Sequence, residues 1–155
     1  MVEDGPAPCR FILRGRAVAG FGLALPMAPR GVAEAGARVA LWLGPDEWLL
    51  LAPPDEAPAI AASLAGADSL VEVSDAFVAL RVEGPRAARL LSAGCPIDLH
   101  PDMFPPGTAT RTLMGRAGVT LWRLGPEAWH LEVARSFAAY VRGFLAEAAR
   151  GLPEA

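Results

Sequence analysis

The 155-residue chain contains no lysine, no asparagine and no glutamine, and it has two histidines and two cysteines. Without lysine there is no Schiff base, no lysine general base and no phosphate loop ending in Gly-Lys-Ser/Thr. All 14 cations are arginine, against 17 Asp and Glu, for a formal net charge of −3. A weakly acidic chain with no basic stripe, and without the Asn and Gln that pair with adenine edges, is a poor nucleic-acid binder. The thiols of Cys9 and Cys95 stand far apart and make no disulfide framework. The opening Met1-Val2-Glu3-Asp4-Gly5-Pro6 is acidic and has no apolar stretch behind it, so it does not read as a secretory signal. No run approaches the ~18 consecutive apolar residues of a membrane span. The expectation is a reduced, cytoplasmic protein with no nucleic-acid or membrane partner.

What is present is apolar and small. At 155 residues the chain suits one domain, 1–155, built from two similar halves that meet near 66–70, and it is too short for a second large domain. The residues AVILMFWYC make up 53 %, and with 16 glycines the apolar share reaches about 63 %, above the usual 45–50 % and incompatible with disorder. Much of the excess is alanine, 31 residues in all, which buries little area per side chain. The remainder points to a surface that another protein covers.

Along the chain, residues 1–9 read as a loose tail. Phe11-Ile12-Leu13 and Phe21 to Leu25 read as short strands divided by Gly15 and Gly20, and Pro26 to Gly36, with two prolines and two glycines, as a loop. Val39 to Leu43, Gly44-Pro45-Asp46-Glu47 and Trp48 to Leu51 spell a strand, a tight turn and a returning strand. Pro53-Pro54 closes that hairpin, and Ala57 to Ala65, with Ile60 and Leu64 one turn apart, is a short helix stopped by Gly66. Strands follow at Leu70 to Asp75 and Phe77 to Val82. Gly84-Pro85 then opens a helix from Arg86 to Ala93: proline lacks a donor that the first turn cannot use, and Gly94 beyond the end tolerates a left-handed conformation.

Cys95 to Gly107 holds Pro96, Pro101, Pro105 and Pro106 and reads as an irregular excursion. Strands resume at Thr108 to Leu113, Val119 to Leu124 and Trp129 to Val133. A last helix starts at Ser136 as its cap, with Phe137, Tyr140, Val141, Phe144, Leu145 and Ala148 on one face and Gly151 and Pro153 at its end. Leu41-Trp42-x-Gly44-Pro45-x-x-Trp48-x-Leu50 is echoed by Leu121-Trp122-x-x-Gly125-Pro126-x-x-Trp129-x-Leu131, at an offset of about 80 with one residue inserted. Both copies precede a helix. The fold class that follows is α+β, with pseudo-duplicated antiparallel sheets and about three helices.

No catalytic set assembles. A Ser-His-Asp or Cys-His pair needs a base with a tunable proton, and the supply is His100 and His130. His130 alternates with Trp129, Leu131 and Val133, so it faces the side opposite to theirs, read as solvent. Cys95, Asp98, His100 and Asp102 lie within eight positions and are types that zinc accepts, but one cysteine without paired spacing holds no metal. A cysteine at a helix exit is read as buried and inert. Trp42, Trp48, Trp122 and Trp129 sit on hairpin strands, where aromatics pack across strands; stacking a planar ligand is the alternative use. Arg111, between two threonines on a strand, and Arg135, before the last helix, are read as ion-pair partners, with ligand contact as the alternative.

One block is specific. Gly94-Cys95-Pro96-Ile97-Asp98-Leu99, with Phe104-Pro105-Pro106-Gly107 and Arg111-Thr112-Leu113 behind it, resembles the gamma subunit of heterotetrameric sarcosine oxidase. Val71-Glu72-Val73-Ser74, Leu80-Arg81-Val82 before Gly84-Pro85, Leu121-Trp122-Arg123 and Arg135-Ser136-Phe137 extend the match over residues 70–150, and the first 65 match loosely. The resemblance implies a complex in which a beta subunit oxidises an N-methyl amine at a flavin, an alpha subunit carries a folate domain that traps the one-carbon unit, and a small delta subunit carries zinc. FAD, FMN, NAD and tetrahydrofolate are expected in those partners and no cofactor in this chain. It also implies a fold similar to the folate-binding domain of glycine-cleavage aminomethyltransferase. The Lys-Gly-Cys-Tyr block of the folate-binding iron-sulfur maintenance proteins is absent, since Pro96 follows Gly94-Cys95.

Two expectations result. In the first the chain is a non-catalytic assembly subunit of a sarcosine oxidase complex, and Ile97, Leu99, Met103 and Phe104 dock it on the alpha subunit, presented at low ordering cost by the surrounding prolines. In the second it is a free-standing binder of reduced folate, with Trp122 stacking the pterin and Arg111 or Arg135 holding the glutamyl carboxylate.

Overall fold

Gly-Pro turns set two hairpins around which the strands are arranged. The computed structural model describes residues 1–15 and 20–152; Pro153, read as a helix stop, lies outside the described residues. In chain order the elements are β1 (Val2–Asp4), β2 (Cys9–Arg14), β3 (Val32–Ala35), β4 (Arg38–Gly44), β5 (Glu47–Ala52), α1 (Ala57–Ser63), β6 (Ser69–Glu72), β7 (Phe77–Glu83), α2 (Ala87–Ser92), β8 (Thr108–Met114), β9 (Ala117–Gly125), β10 (Ala128–Ala134) and α3 (Ala138–Arg150). They form two units, Ala7–Asp75 and Met1–Pro6 with Ala76–Ala155. The division falls just beyond the 66–70 junction read from sequence, because β6 pairs with β2 and so belongs to the first unit. No helix among the described residues is long and apolar enough to cross a membrane.

The first unit is an antiparallel sheet in the order β3-β4-β5-β2-β6. Its core gathers Phe11, Leu13, Trp48 and Leu50 from the sheet with Ile60 and Leu64 from the α1 segment. Phe21 is also in that core, and Phe21 to Leu25 is not the strand read from sequence. Gly20 and Gly22 adopt φ of 121° and 85°, which break a β run, and Arg38 holds the bend by donating to the Phe21 carbonyl at 2.6 Å and to Glu56 at 2.6 Å. The loop read over Pro26 to Gly36 contains β3, which pairs with β4 across a tight turn at Gly36, φ 61°.

The second unit repeats the plan in the order β8-β9-β10-β7-β1. The correspondence between β4 and α1 on one side and β9 and α3 on the other holds at a constant offset of 81 residues: Trp42 with Arg123, Gly44 with Gly125, Trp48 with Trp129, Ile60 with Val141 and Leu64 with Leu145. The insertion inferred from the two Trp motifs is therefore absent, and Trp42 matches Arg123 and not Trp122. The fifth strand differs in origin: β6 follows α1, whereas β1 comes from residues read as a loose tail. Val2, Glu3 and Asp4 pair with Val82, Arg81 and Leu80, and Asp4 forms an ion pair with Arg142.

One face of this second sheet is covered by α2 and α3, which bury Leu90, Leu91, Val141 and Leu145 against Leu80, Val82, Trp129, Leu131 and Val133. Of the residues read as the apolar face of the last helix, Phe137, which precedes α3, and Tyr140 are exposed, so that face is narrower than read. Ser136 is not its cap: it lies in a 3-10 turn, Arg135–Phe137, and the helix begins after Phe137. Gly94 is not left-handed either. It is glycine because a Cβ there would lie 2.5 Å from the Phe144 ring and 2.9 Å from the Gly115 nitrogen.

Candidate partner interface

The proline-rich segment Cys95 to Gly107 is irregular, as read, but it is folded around one buried side chain. Arg123 of β9 faces Trp129 of β10. Its Nη1 donates to the Phe104 carbonyl at 2.8 Å and the Leu99 carbonyl at 3.4 Å, its Nε to Gly125 at 3.1 Å and its Nη2 to Pro126 at 2.7 Å. The guanidinium spreads donors in a planar fan, so one side chain satisfies carbonyls of the excursion and of the β9–β10 turn together. Phe104 stacks on the other partner of this arrangement, Trp129, with centroids 5.6 Å apart and planes at 24°.

The four residues expected to dock on a partner therefore part company. Phe104 is 1 % exposed and Leu99 is also buried, both in the core of their own unit, while Ile97 is half-buried against it. Met103, 54 % exposed, is the one of the four that points outward. The expectation that Met103 and Phe104 are presented together is corrected: prolines order the segment, but Arg123 and Trp129 draw Phe104 inward.

The groups considered for metal or nucleophilic chemistry also separate. The Cys95 thiol is buried, 3.6 Å from the Thr112 hydroxyl. Asp98 accepts from the His100 main-chain N–H at 2.9 Å, and Asp102 lies 3.5 Å from His100 Nδ1, all on the surface. Among the described residues no three His, Cys, Asp or Glu side chains converge as metal ligands. Burial, with the nearby Glu72 carboxylate second, pushes the Cys9 thiol up from its ordinary pKa, and its Sγ meets the Pro53 carbonyl at 3.3 Å.

His130 does lie on the face opposite to Trp129, but that face is not solvent. His130 is 2 % and Glu132 0 % exposed, and His130 Nε2 lies 2.7 Å from the Glu132 carboxylate. Trp122, read as a stacking platform, is 6 % exposed and tilted against His130 at 5.6 Å, so its ring is not open to a ligand. Arg111 is exposed on β8, on the same face as Trp122 by register, and Arg135 is exposed in the turn before α3. Sequence reasoning missed Arg123 and the His130–Glu132 pair. A histidine and a carboxylate two positions apart on a strand share a face, and that spacing was the available signal.

Comparison with known proteins decides the class. The profile of the sarcosine oxidase, gamma subunit family matches residues 12–151. The chain belongs to the sarcosine oxidase gamma subunit family. It is 37 % identical over 136 residues to sarcosine oxidase subunit gamma of Corynebacterium sp. strain U-96, covering 84 % of this chain and 65 % of that one. The gamma subunit of an Arthrobacter sp. is 37 % identical over 117 residues, 73 % of this chain and 58 % of that one. This family member thus spans less than two thirds of the length of these curated relatives. Among solved structures it is similar to the heterotetrameric sarcosine oxidase of Corynebacterium sp. U-96 in complex with pyrrole 2-carboxylate, with a TM-score of 0.88 and 29 % identity over 99 % of this chain and 86 % of the other. Glycine cleavage system aminomethyltransferase T of Bartonella henselae shares the gamma-family fold at a TM-score of 0.67 and 14 % identity, over 96 % of this chain and 46 % of that one.

Proposed function

We propose that this chain is a non-catalytic assembly subunit of a sarcosine-oxidase-type heterotetramer, in which oxidative demethylation of sarcosine, coupled to tetrahydrofolate, takes place in other chains. The observation that carries the reading is the correspondence of 99 % of the chain, at a TM-score of 0.88, with a structure of a heterotetrameric sarcosine oxidase. The side-chain chemistry supports the non-catalytic part: His130 and Glu132 are closed in, His100 and its aspartates engage one another at the surface, and both thiols are buried. In this reading FAD, FMN, NAD and tetrahydrofolate belong to the partners, the folate-binding alpha subunit is the neighbour, and the complex is cytoplasmic. Of the four docking residues expected in the excursion, Met103 is the exposed one and so the one able to touch that neighbour.

The test is co-expression with the other subunits of the complex and purification on one tag. Stable co-elution is the expected result, with flavin absorbance in the complex and none in the chain purified alone. Elution of the chain free of the other subunits, or a flavin band on the isolated chain that survives dialysis, overturns the reading.

A further inference from the structure

Four strands end the two sheets, and they are not alike. β1 has three residues, β3 and β6 four each, and all carry exposed carboxylates, at Glu3 and Asp4, Glu34 and Glu72. Short, charged edges of this kind resist pairing with other chains. β8 is the exception. It runs for seven residues, Thr108–Met114, without proline or register shift, and has one strand neighbour, β9, among the described residues. It carries a cation, Arg111, in place of a carboxylate, and an exposed Leu113.

The hairpin turn fixes which main-chain groups of β8 face outward. Met114 pairs with Ala117 across the two-residue turn Gly115-Arg116, with Gly115 at φ 60°. Residues flanking such a turn form a closely hydrogen-bonded pair, and pairs alternate along the ladder. Thr112 and Thr110 therefore bond to β9, while Leu113 and Arg111, both exposed, turn their N–H and C=O away from it; Ala109 does the same but is fully buried and closed to a partner. The geometry points to β8 as a docking edge that accepts an extended strand of a larger partner subunit by main-chain hydrogen bonding. This rests on the reading of the chain as an assembly subunit and names the surface used.

A second copy of this chain is a poor occupant. Two β8 strands paired antiparallel in the register of greatest overlap place Arg111 opposite Arg111, and like charges in that position oppose pairing. A partner strand with a carboxylate beside Arg111 and an apolar side chain beside Leu113 meets the opposite charge instead. Arg111 is already engaged within the chain, and its five donors leave room for a second acceptor.

The test uses the complex captured on one tag. Leu113→Pro deletes an outward N–H without removing a β9 bond, which an edge strand tolerates, and should lower capture about tenfold or more. Leu113→Ala keeps the N–H and should lower it less. In the unmodified chain, residue-resolved amide exchange on assembly should slow at Arg111 and Leu113, at alternate positions. Capture of Leu113→Pro equal to the unmodified chain, or unchanged exchange at those two amides, overturns the proposal. Should Leu113→Pro fail to fold, the exchange measurement decides. Self-association of the isolated chain that Leu113→Pro abolishes also overturns it, since the occupant is then a second copy. No capture of the unmodified chain is a different result: it removes the assembly reading itself, and this proposal with it.

Discussion

The guanidinium of Arg123 lies 4.8 Å from the centroid of the Trp129 ring, from a facing position on the neighbouring strand. The equivalent pair in the first unit is Trp42 and Trp48. Exchange of an aromatic for an arginine at one repeat position accompanies the long excursion of the second unit, whose carbonyls that arginine holds. Arg123→Lys keeps a charge but loses the planar fan, so at least two of the four carbonyls lose their donor. Each buried unsatisfied acceptor costs about 1–3 kcal/mol, and the thermal midpoint should fall by about 5–10 °C. Calorimetry of the purified variant checks this; an unchanged midpoint removes Arg123 as the organiser of the segment.

Phe104 and Met103 should behave oppositely. Phe104→Ala empties a core position and should destabilise the isolated chain by about 3–5 kcal/mol, whereas Met103→Ala, at an exposed position, should leave the unfolding free energy within about 0.5 kcal/mol of the parent. Denaturant titration of the two variants side by side distinguishes them, and equal midpoints would contradict the inward placement of Phe104.

Gly94 and Gly36 are glycine for different reasons. Alanine at Gly94 meets the Phe144 ring and the Gly115 backbone, while at Gly36 no atom lies within 4 Å and the objection is φ of 61°. Gly36→Ala should cost about 1 kcal/mol. Gly94→Ala should cost more and be partly rescued by Phe144→Ala, a coupling that a double-mutant cycle reads directly. Additive effects at 94 and 144 would exclude the close-approach explanation.

Cys9 makes stability depend on alkaline pH. Burial raises its folded pKa, so the folded state holds the thiol proton more tightly than the unfolded chain does. The resulting stabilisation is complete below the unfolded value of about 8.5 and is lost as pH rises through the folded value. Unfolding curves between pH 7 and 10 should steepen in their decline above about pH 8.5, and Cys9→Ala should flatten it. A decline unchanged in that variant assigns the effect elsewhere.

Local signals were legible where the physics is local. The Gly44-Pro45 and Gly125-Pro126 turns announce their hairpins because backbone preference alone closes them, and Ile60, Leu64, Val141 and Leu145 announce their helices because spacing puts them on one side. The gamma-family block around Gly94 to Leu99 was also readable. The edge strand β1 was not, since three residues have no periodicity and Val2–Asp4 is strand only because β7 offers it partners.

The amino-acid sequence by itself determined the α+β class, the duplication and the absence of lysine chemistry, because these rest on composition and on order over a few residues. Only the tertiary structure decided which faces are buried. His130 sits opposite Trp129 as alternation requires, yet β10 is buried on both faces from Trp129 to Val133, and alternation cannot tell a second buried face from solvent. Phe104 turned inward for a similar reason: its place depends on Arg123, nineteen residues along the chain, which holds its carbonyl, and on Trp129, which stacks on its ring.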